Sequence, residues 1–240
     1  MFIVSNSKIV NNIYQSLQST KDLHVSSILY GEAYTGKKTL VKKLYPNSVW
    51  VDGSKLEDVL NALGNYSQII ITNYEKIANI DAINFNNSSV IAIYNKKSLD
   101  PRLENKFAFI YRMPPLSERL EDIELFTKYY THEAQELFNL SLDVKLDNND
   151  LDLSENFRSL KSSIYKYLLL KQLSDEDLNY TLENYFEKHY RGSNLYKEML
   201  EVFEKPLLKV GLKLYKSQLK LADVLGINRN TLRKKINEYT

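Results

Sequence analysis

Gly31-Glu-Ala-Tyr-Thr-Gly36-Lys37-Lys38 has the G-x-x-x-x-G-K spacing of a phosphate-binding loop. Two glycines let the backbone turn so that its N–H groups converge on an anion, and the lysine adds a compensating charge. The candidate phosphate-binding residues in this loop are Gly31, Glu32, Thr35, Gly36, Lys37 and Lys38. Lys38 stands where such loops usually carry the Ser or Thr that meets magnesium, so the metal is left open. Taken alone, the stretch is equally compatible with a plain glycine turn.

The other end of the chain suggests a different chemistry. In residues 217–239, SQLKLADVLGINRNTLRKKINEY, Ala222, Gly226 and Leu232 fall at the spacing of a helix-turn-helix. That motif needs a small residue where two helices touch, a glycine in the turn and an apolar residue locking the second helix. Leu232 and Ile236 share one face of that second helix, and Arg229 and Arg233 share another. Asn228 is placed to cap it, turning the positive end of its dipole toward an anionic partner. Residues 205–240 hold nine Lys/Arg against two Asp/Glu, although the whole chain is only +2. A charge run alone usually just solvates a terminal helix. The three-point spacing is what turns the reading toward double-stranded DNA.

Several classes are excluded. The chain has no cysteine and its three histidines are far apart, so no metal site is expected. No run of about 18 uncharged apolar residues occurs and the N-terminus does not read as a signal peptide, so a cytoplasmic protein without membrane contact is expected. Lysine outnumbers arginine 25 to 7. Where lysine is the default cation, the seven arginines (102, 112, 119, 158, 191, 229 and 233) are favoured at positions needing a planar bidentate donor.

The elements that must position these residues follow from periodicity. Ile9, Ile13 and Leu17 predict a first helix, Val25 to Tyr30 a strand into the glycine loop, and Val49–Val51, Gln68–Thr72 and Val90–Tyr94 further strands. Their alternation with helical stretches such as KLEDVLNALG predicts an α/β domain with a parallel sheet. After Pro114-Pro115 everything reads as helix: 117–138, 156–173, 174–189, 195–204 and 206–214, with a polar loop at Asp147–Asp152. The expected organisation is an α/β domain over 1–113, a helical lid and linker over 114–190, and a DNA-binding module over 191–240.

Residues 206–239, from PLL to GINRNTLRKK, resemble the Fis-type DNA-binding domain. The resemblance implies a homodimer formed by the helices around NLYKEMLEVFEKPLLKVGL, with Leu195, Met199, Val202 and Phe203 as its apolar stripe. It further implies that Asn228 and Arg229 approach base edges, that Thr231, Arg233, Lys234 and Lys235 hold phosphates, and that Gln218 joins the same surface. The first 167 residues resemble the AAA+ domain of the NtrC-like bacterial enhancer-binding proteins, through FIVSNS, GEAYTGKK, VDGS, PPLSERLEDI and ENFRSLKSSI in the family's order. This implies a P-loop (AAA+) fold with a helical lid, ATP or ADP as ligand, and sensor positions at Asn95 and Arg158. RNA polymerase is a candidate partner, and neither a receiver nor a sensory domain is expected, because the resemblance starts within the first few residues.

The departures from that pattern matter for mechanism. The family ends its second sheet strand with an acidic pair that handles magnesium and water, whereas this chain has Thr72-Asn73. The GAFTGA loop that touches the alternative sigma factor is missing, and Arg102 is the one candidate for an arginine reaching a neighbour's nucleotide. No catalytic residue is therefore assigned. The expectation is a dimeric, sequence-specific transcription regulator with a vestigial nucleotide site that does not remodel that sigma factor. An active ATPase using Glu75 or Asp81, and an architectural DNA-binding protein, are the alternatives.

Overall fold

The computed structural model describes residues 5–85, 88–140, 146–147 and 150–239. The first residues of the FIVSNS motif and part of the Asp147–Asp152 loop lie outside them. The chain divides into two compact units, one up to Gln172 and the other from Leu173.

The first unit is built on five parallel strands: β1 (Ser27–Tyr30), β2 (Val49–Asp52), β3 (Gln68–Thr72), β4 (Ser89–Tyr94) and β5 (Phe109–Arg112), in the order β2-β3-β4-β1-β5. Successive strand side chains point to opposite faces, so the uninterrupted apolar runs supply two cores. Ile28, Ile69, Ile71, Val90 and Ala92 pack with Val59, Ala62 and Leu63 of α3 (Leu56–Asn65). Leu29, Ile70, Ile91 and Ile93 pack with Val10, Ile13 and Leu17 of α1 (Lys8–Ser19) and with Leu40, Val41 and Leu44 of α2 (Lys37–Leu44). In α1 the inward residue is Val10, while Ile9 is exposed. Strand β5 escaped the sequence reading because it is an edge strand, half-buried on one face and exposed on the other.

Helices α4 (Leu120–Phe138) and α5 (Phe157–Lys171) form a lid core around Leu116, Ala134, Leu160, Ile164 and Leu168. The lid belongs to the same compact unit as the sheet, so no unit boundary falls at 113. The helix that follows, α6 (Asp175–His189), clusters instead with the C-terminal residues. Ser174 and Asp177 cap it reciprocally, and it buries no side chain.

In the second unit, α7 (Leu195–Tyr215) runs unbroken through Pro206, correcting the expected break there. Proline costs a helix one N–H bond and a clash with the preceding turn. Here both flanks are held: Glu204 binds two groups of the last helix, Leu208 is buried, and a Cβ on Gly211 would overlap the Leu221 side chain. Helices α8 (Gln218–Val224) and α9 (Arg229–Tyr239) complete the unit around Leu208, Leu221, Ala222 and Leu232. The expected apolar stripe is also redrawn. Leu195, Met199 and Val202 are half-buried, whereas Tyr196, Phe203, Leu207, Val210 and Leu214 lie exposed, with half-buried Leu200 in the same row. Their alternating spacing of four and three residues is that of a helix-pairing seam.

Candidate phosphate cleft and nucleic-acid interface

In a parallel sheet, ligands collect at the carboxyl ends of the strands. The glycine loop follows β1, Asn73 follows β3 and Asn95 follows β4, which places all three at the carboxyl end of the sheet. Gly31 has φ +142°, and a Cβ there would overlap the Met113 carbonyl, so only glycine lets the loop leave the strand beside Met113. Gly36, at φ +94°, turns the chain into α2. The first turn of α2 leaves the amides of Lys37, Lys38 and Thr39 without intrahelical acceptors, aimed where an anion would sit.

Lys37 is buried, and its Nζ donates to the carbonyls of Gly31 (2.8 Å) and Glu32 and to Thr35 Oγ1 (3.3 Å). Burial pushes its ammonium down to about 8, with Glu75 and Glu32 pulling upward and Arg119 pushing further down. The loop borders a cleft of about 720 Å³ with aromatic walls that include Tyr14, Tyr34, Tyr130 and Phe157. Arg158 also lines it. Its guanidinium donates to the Tyr34 hydroxyl (3.2 Å), lies 5.1 Å from that ring's centre, and pairs with Glu155 at 3.3 Å. Asn95 is turned toward strand-end neighbours: its backbone N–H and Nδ2 hold the two oxygens of Glu75, and Nδ2 also reaches Asn73 Oδ1. The cleft therefore gathers the loop, Asn95 and Arg158. Converging amides and a buried lysine in a cleft of this size fit a phosphorylated ligand.

Three lid residues that the sequence reading did not assign hold this loop in place. Arg119 is buried, donates to the Thr35 carbonyl (2.9 Å), lies over the Phe157 ring and pairs with the fully buried Asp122 at 3.3 Å. Asp122 in turn accepts from Ser5 Oγ (2.6 Å) and from the Asn6 amide (2.7 Å). Asn156, at φ +55°, donates to Glu32 Oε2 (3.0 Å) and the Ala33 carbonyl (3.1 Å) and accepts from the Leu116 amide (2.6 Å). The Asn156 and Lys97 contacts hold the Glu32 carboxyl below its usual range. Arginine scarcity flagged Arg119 among seven, but only the fold reveals its partners. One other candidate, Arg102, is engaged elsewhere. Arg102 is bound by Asp100 at 2.7 Å and Asp81 at 3.2 Å on the exposed surface. Residues 53–55 alone join β2 to α3, leaving no projecting loop between Lys37 and Thr72.

The helix-turn-helix spacing is realised in the second unit. Gly226 has φ +64°, Ala222 and Leu232 are buried, and the Ile227 amide donates to the Ala222 carbonyl at 3.0 Å. Asn228 caps α9, its Oδ1 accepting from the Asn230 amide at 2.8 Å. Gln218, at the start of α8, and Arg229, Thr231, Arg233 and Lys234 on α9 are exposed. Among the described residues, Arg229, Arg233 and Lys234 have no ion-pair partner. Lys235 differs: it is half-buried and its Nζ pairs with Glu204 at 2.5 Å, while the Tyr239 hydroxyl donates to the other Glu204 oxygen at 2.7 Å. Lys235, expected to hold a phosphate, here ties α9 to α7, and position 235 sits nearer the packed face of Leu232 and Ile236 than that of Arg229 and Arg233.

Fold and site define a P-loop α/β domain with a helical lid, together with a helix-turn-helix. Residues 199–239 match the family described as "Bacterial regulatory protein, Fis family". The chain is 28% identical over 164 residues to the DNA-binding transcriptional regulator NtrC of Azospirillum brasilense, covering 53% of this chain and 34% of that protein. It is 43% identical over 63 residues to the DNA-binding protein Fis of Buchnera aphidicola subsp. Schizaphis graminum, covering 25% of this chain and 64% of that one. The fold resembles NtrX from Brucella abortus in complex with ADP, with a TM-score of 0.54 and 14% identity over 99% of this chain and 70% of that one. The chain is thus similar in sequence to NtrC and in fold to NtrX, and its residues 199–239 match the Fis-family model. It spans about a third of the length of the NtrC relatives it matches. Among the described residues no helix is long and apolar enough to cross a membrane.

Proposed function

We propose that this chain is a dimeric, sequence-specific DNA-binding transcription regulator whose AAA+ cleft keeps a nucleotide as ligand rather than fuel. The observation that carries the reading is the exposed cationic face of α9, with Arg229 and Arg233 free of ion pairs among the described residues and Asn228 capping the end nearest a groove. On a preferred duplex, Arg229→Ala is expected to cost about 1–3 kcal/mol and blunt discrimination, because a base contact is lost. Lys234→Ala is expected to weaken all sequences alike and to reduce the salt slope by about one unit. Lys235→Ala is expected to leave that slope unchanged and to destabilise the second unit by roughly 1 kcal/mol. Titrations of specific and random DNA at several salt concentrations check all three. Equal loss from Arg229→Ala on both DNAs would contradict base reading.

Lys37 gives the nucleotide reading a pH signature. A bound phosphate favours the ammonium, so binding raises its proton affinity and takes up protons near pH 8. ATP affinity is therefore expected to be level below about pH 7 and to weaken as pH rises through about 8, by at most about tenfold per unit for a single group. Calorimetry in buffers of different ionisation enthalpy measures the uptake, and a flat profile up to about pH 9 contradicts the role given to Lys37.

Turnover is not expected, because Thr72-Asn73 supplies no carboxylate for water activation. Without turnover or a sigma-contacting loop, the chain acts at promoters by occupancy or by recruiting RNA polymerase. One observation favours the alternative of an active ATPase: Glu75 is a carboxylate beside the cleft, bonded to the lining residue Asn95. Phosphate release that Lys37→Ala abolishes would establish that alternative.

A further inference from the structure

Cations outnumber carboxylates among the residues that line the cleft, with Arg119 and Arg158 paired to Asp122 and Glu155 just outside it. Among the described residues lining it, Lys37, Lys38, Lys43, Arg119 and Arg158 are cationic and Glu133 is the one carboxylate. Magnesium in nucleotide sites is held through one or two carboxylates besides the phosphates, in near-octahedral oxygen geometry. The carboxylates around this cleft are committed elsewhere. Glu133 pairs with Lys161 at 3.0 Å and accepts from the Tyr165 hydroxyl at 2.8 Å. Asp52 takes the Ser54 amide and hydroxyl on one oxygen and Asn73 Nδ2 on the other. Glu32 holds Asn156 and Lys97, and Glu75 holds Asn95.

The end of β3, facing the loop, bears an amide whose two ends are both used: Asn73 donates to Asp52 (2.8 Å) and accepts from Asn95 (3.2 Å). Beside it, Thr72 Oγ1 donates to the Val51 carbonyl. This donor set does not fit the magnesium that P-loop folds ordinarily take with their nucleotide. Lys38, at the position that would otherwise face the metal, is an exposed cation at the start of α2.

We infer that the cleft takes a nucleoside polyphosphate as the bare anion, with Lys37 and Lys38 supplying the positive charge that magnesium supplies elsewhere. The inference rests on the nucleotide reading proposed above. A magnesium complex would bring a divalent cation against these lysines, whereas the free polyphosphate finds Lys37, Lys38 and Lys43, which among the described residues pair with no carboxylate, and the amides of the loop.

The test is calorimetric titration of ATP into the full chain, once with EDTA and once with magnesium chloride in excess over ATP. The expected result is binding in EDTA at least as tight as in magnesium, and a loss of about tenfold in EDTA on Lys38→Ala, the cost of removing one charged phosphate contact. Binding that appears only with magnesium, or an affinity in EDTA that Lys38→Ala leaves unaltered, overturns the inference while leaving the nucleotide reading standing. Absence of binding in both buffers overturns the nucleotide reading itself, and the inference with it.

Discussion

Asp122→Ala is expected to destabilise the first unit by about 3–5 kcal/mol, because it strands the Arg119 guanidinium in the interior without a counter-charge. Asp122 is fully buried and Arg119 nearly so, and the Arg119 Nε already lacks a hydrogen-bond partner. The carboxylate also gathers Ser5, Asn6 and Ser7, so its removal releases the chain segment leading into α1. Trp50, the single tryptophan, lies on β2 and reports this unit's unfolding in urea. A fall in midpoint with little change in slope is expected. A loss below about 1 kcal/mol, the range of exposed ion pairs, would show that the pair is not desolvated as placed here. ATP affinity should fall in the same variant, since Arg119 carries the Thr35 carbonyl and with it the curvature of the loop.

Val210→Glu is expected to convert a dimer to a monomer and to reduce affinity for a two-half-site duplex by about 100-fold, equivalent to roughly 3 kcal/mol at 25 °C. Val210 is 56% exposed and lies in the row of Tyr196, Phe203, Leu207 and Leu214, so the substitution costs the isolated chain little. Buried between two copies of α7, the same carboxylate would lose its water without gaining a partner. Sedimentation at micromolar concentration, with and without DNA, reads the outcome. An unchanged mass would place the pairing surface elsewhere, and a monomeric wild type would remove the two-fold reading of DNA. Half-sites about one helical turn apart are the corresponding expectation for the DNA.

Much of both units is legible in the sequence because it depends on spacing within one element. Strand runs such as Ile69-Ile70-Ile71 announce burial on both faces, the loop from Gly31 to Lys37 needs its glycines at fixed positions, and Ala222, Gly226 and Leu232 define a helix-turn-helix over eleven residues. Helix boundaries were less secure where a local rule met a tertiary contact. Proline predicts a break at 206, but packing of Leu208 and Gly211 against α8 and the hold of Glu204 on α9 carry α7 through it.

Local chemistry by itself determined the glycine loop, the cap and turn of the helix-turn-helix, and the substitution of Thr72-Asn73 for acids, since each is a property of neighbouring residues. Only the tertiary structure decided which cation serves which partner. Arg119 and Thr35 are 84 positions apart and Lys235 and Glu204 are 31 apart. No periodicity reports such pairings, because the energy of a buried or half-buried charge depends on what the fold brings within a few ångströms of it, and that distance exists only after the chain has closed.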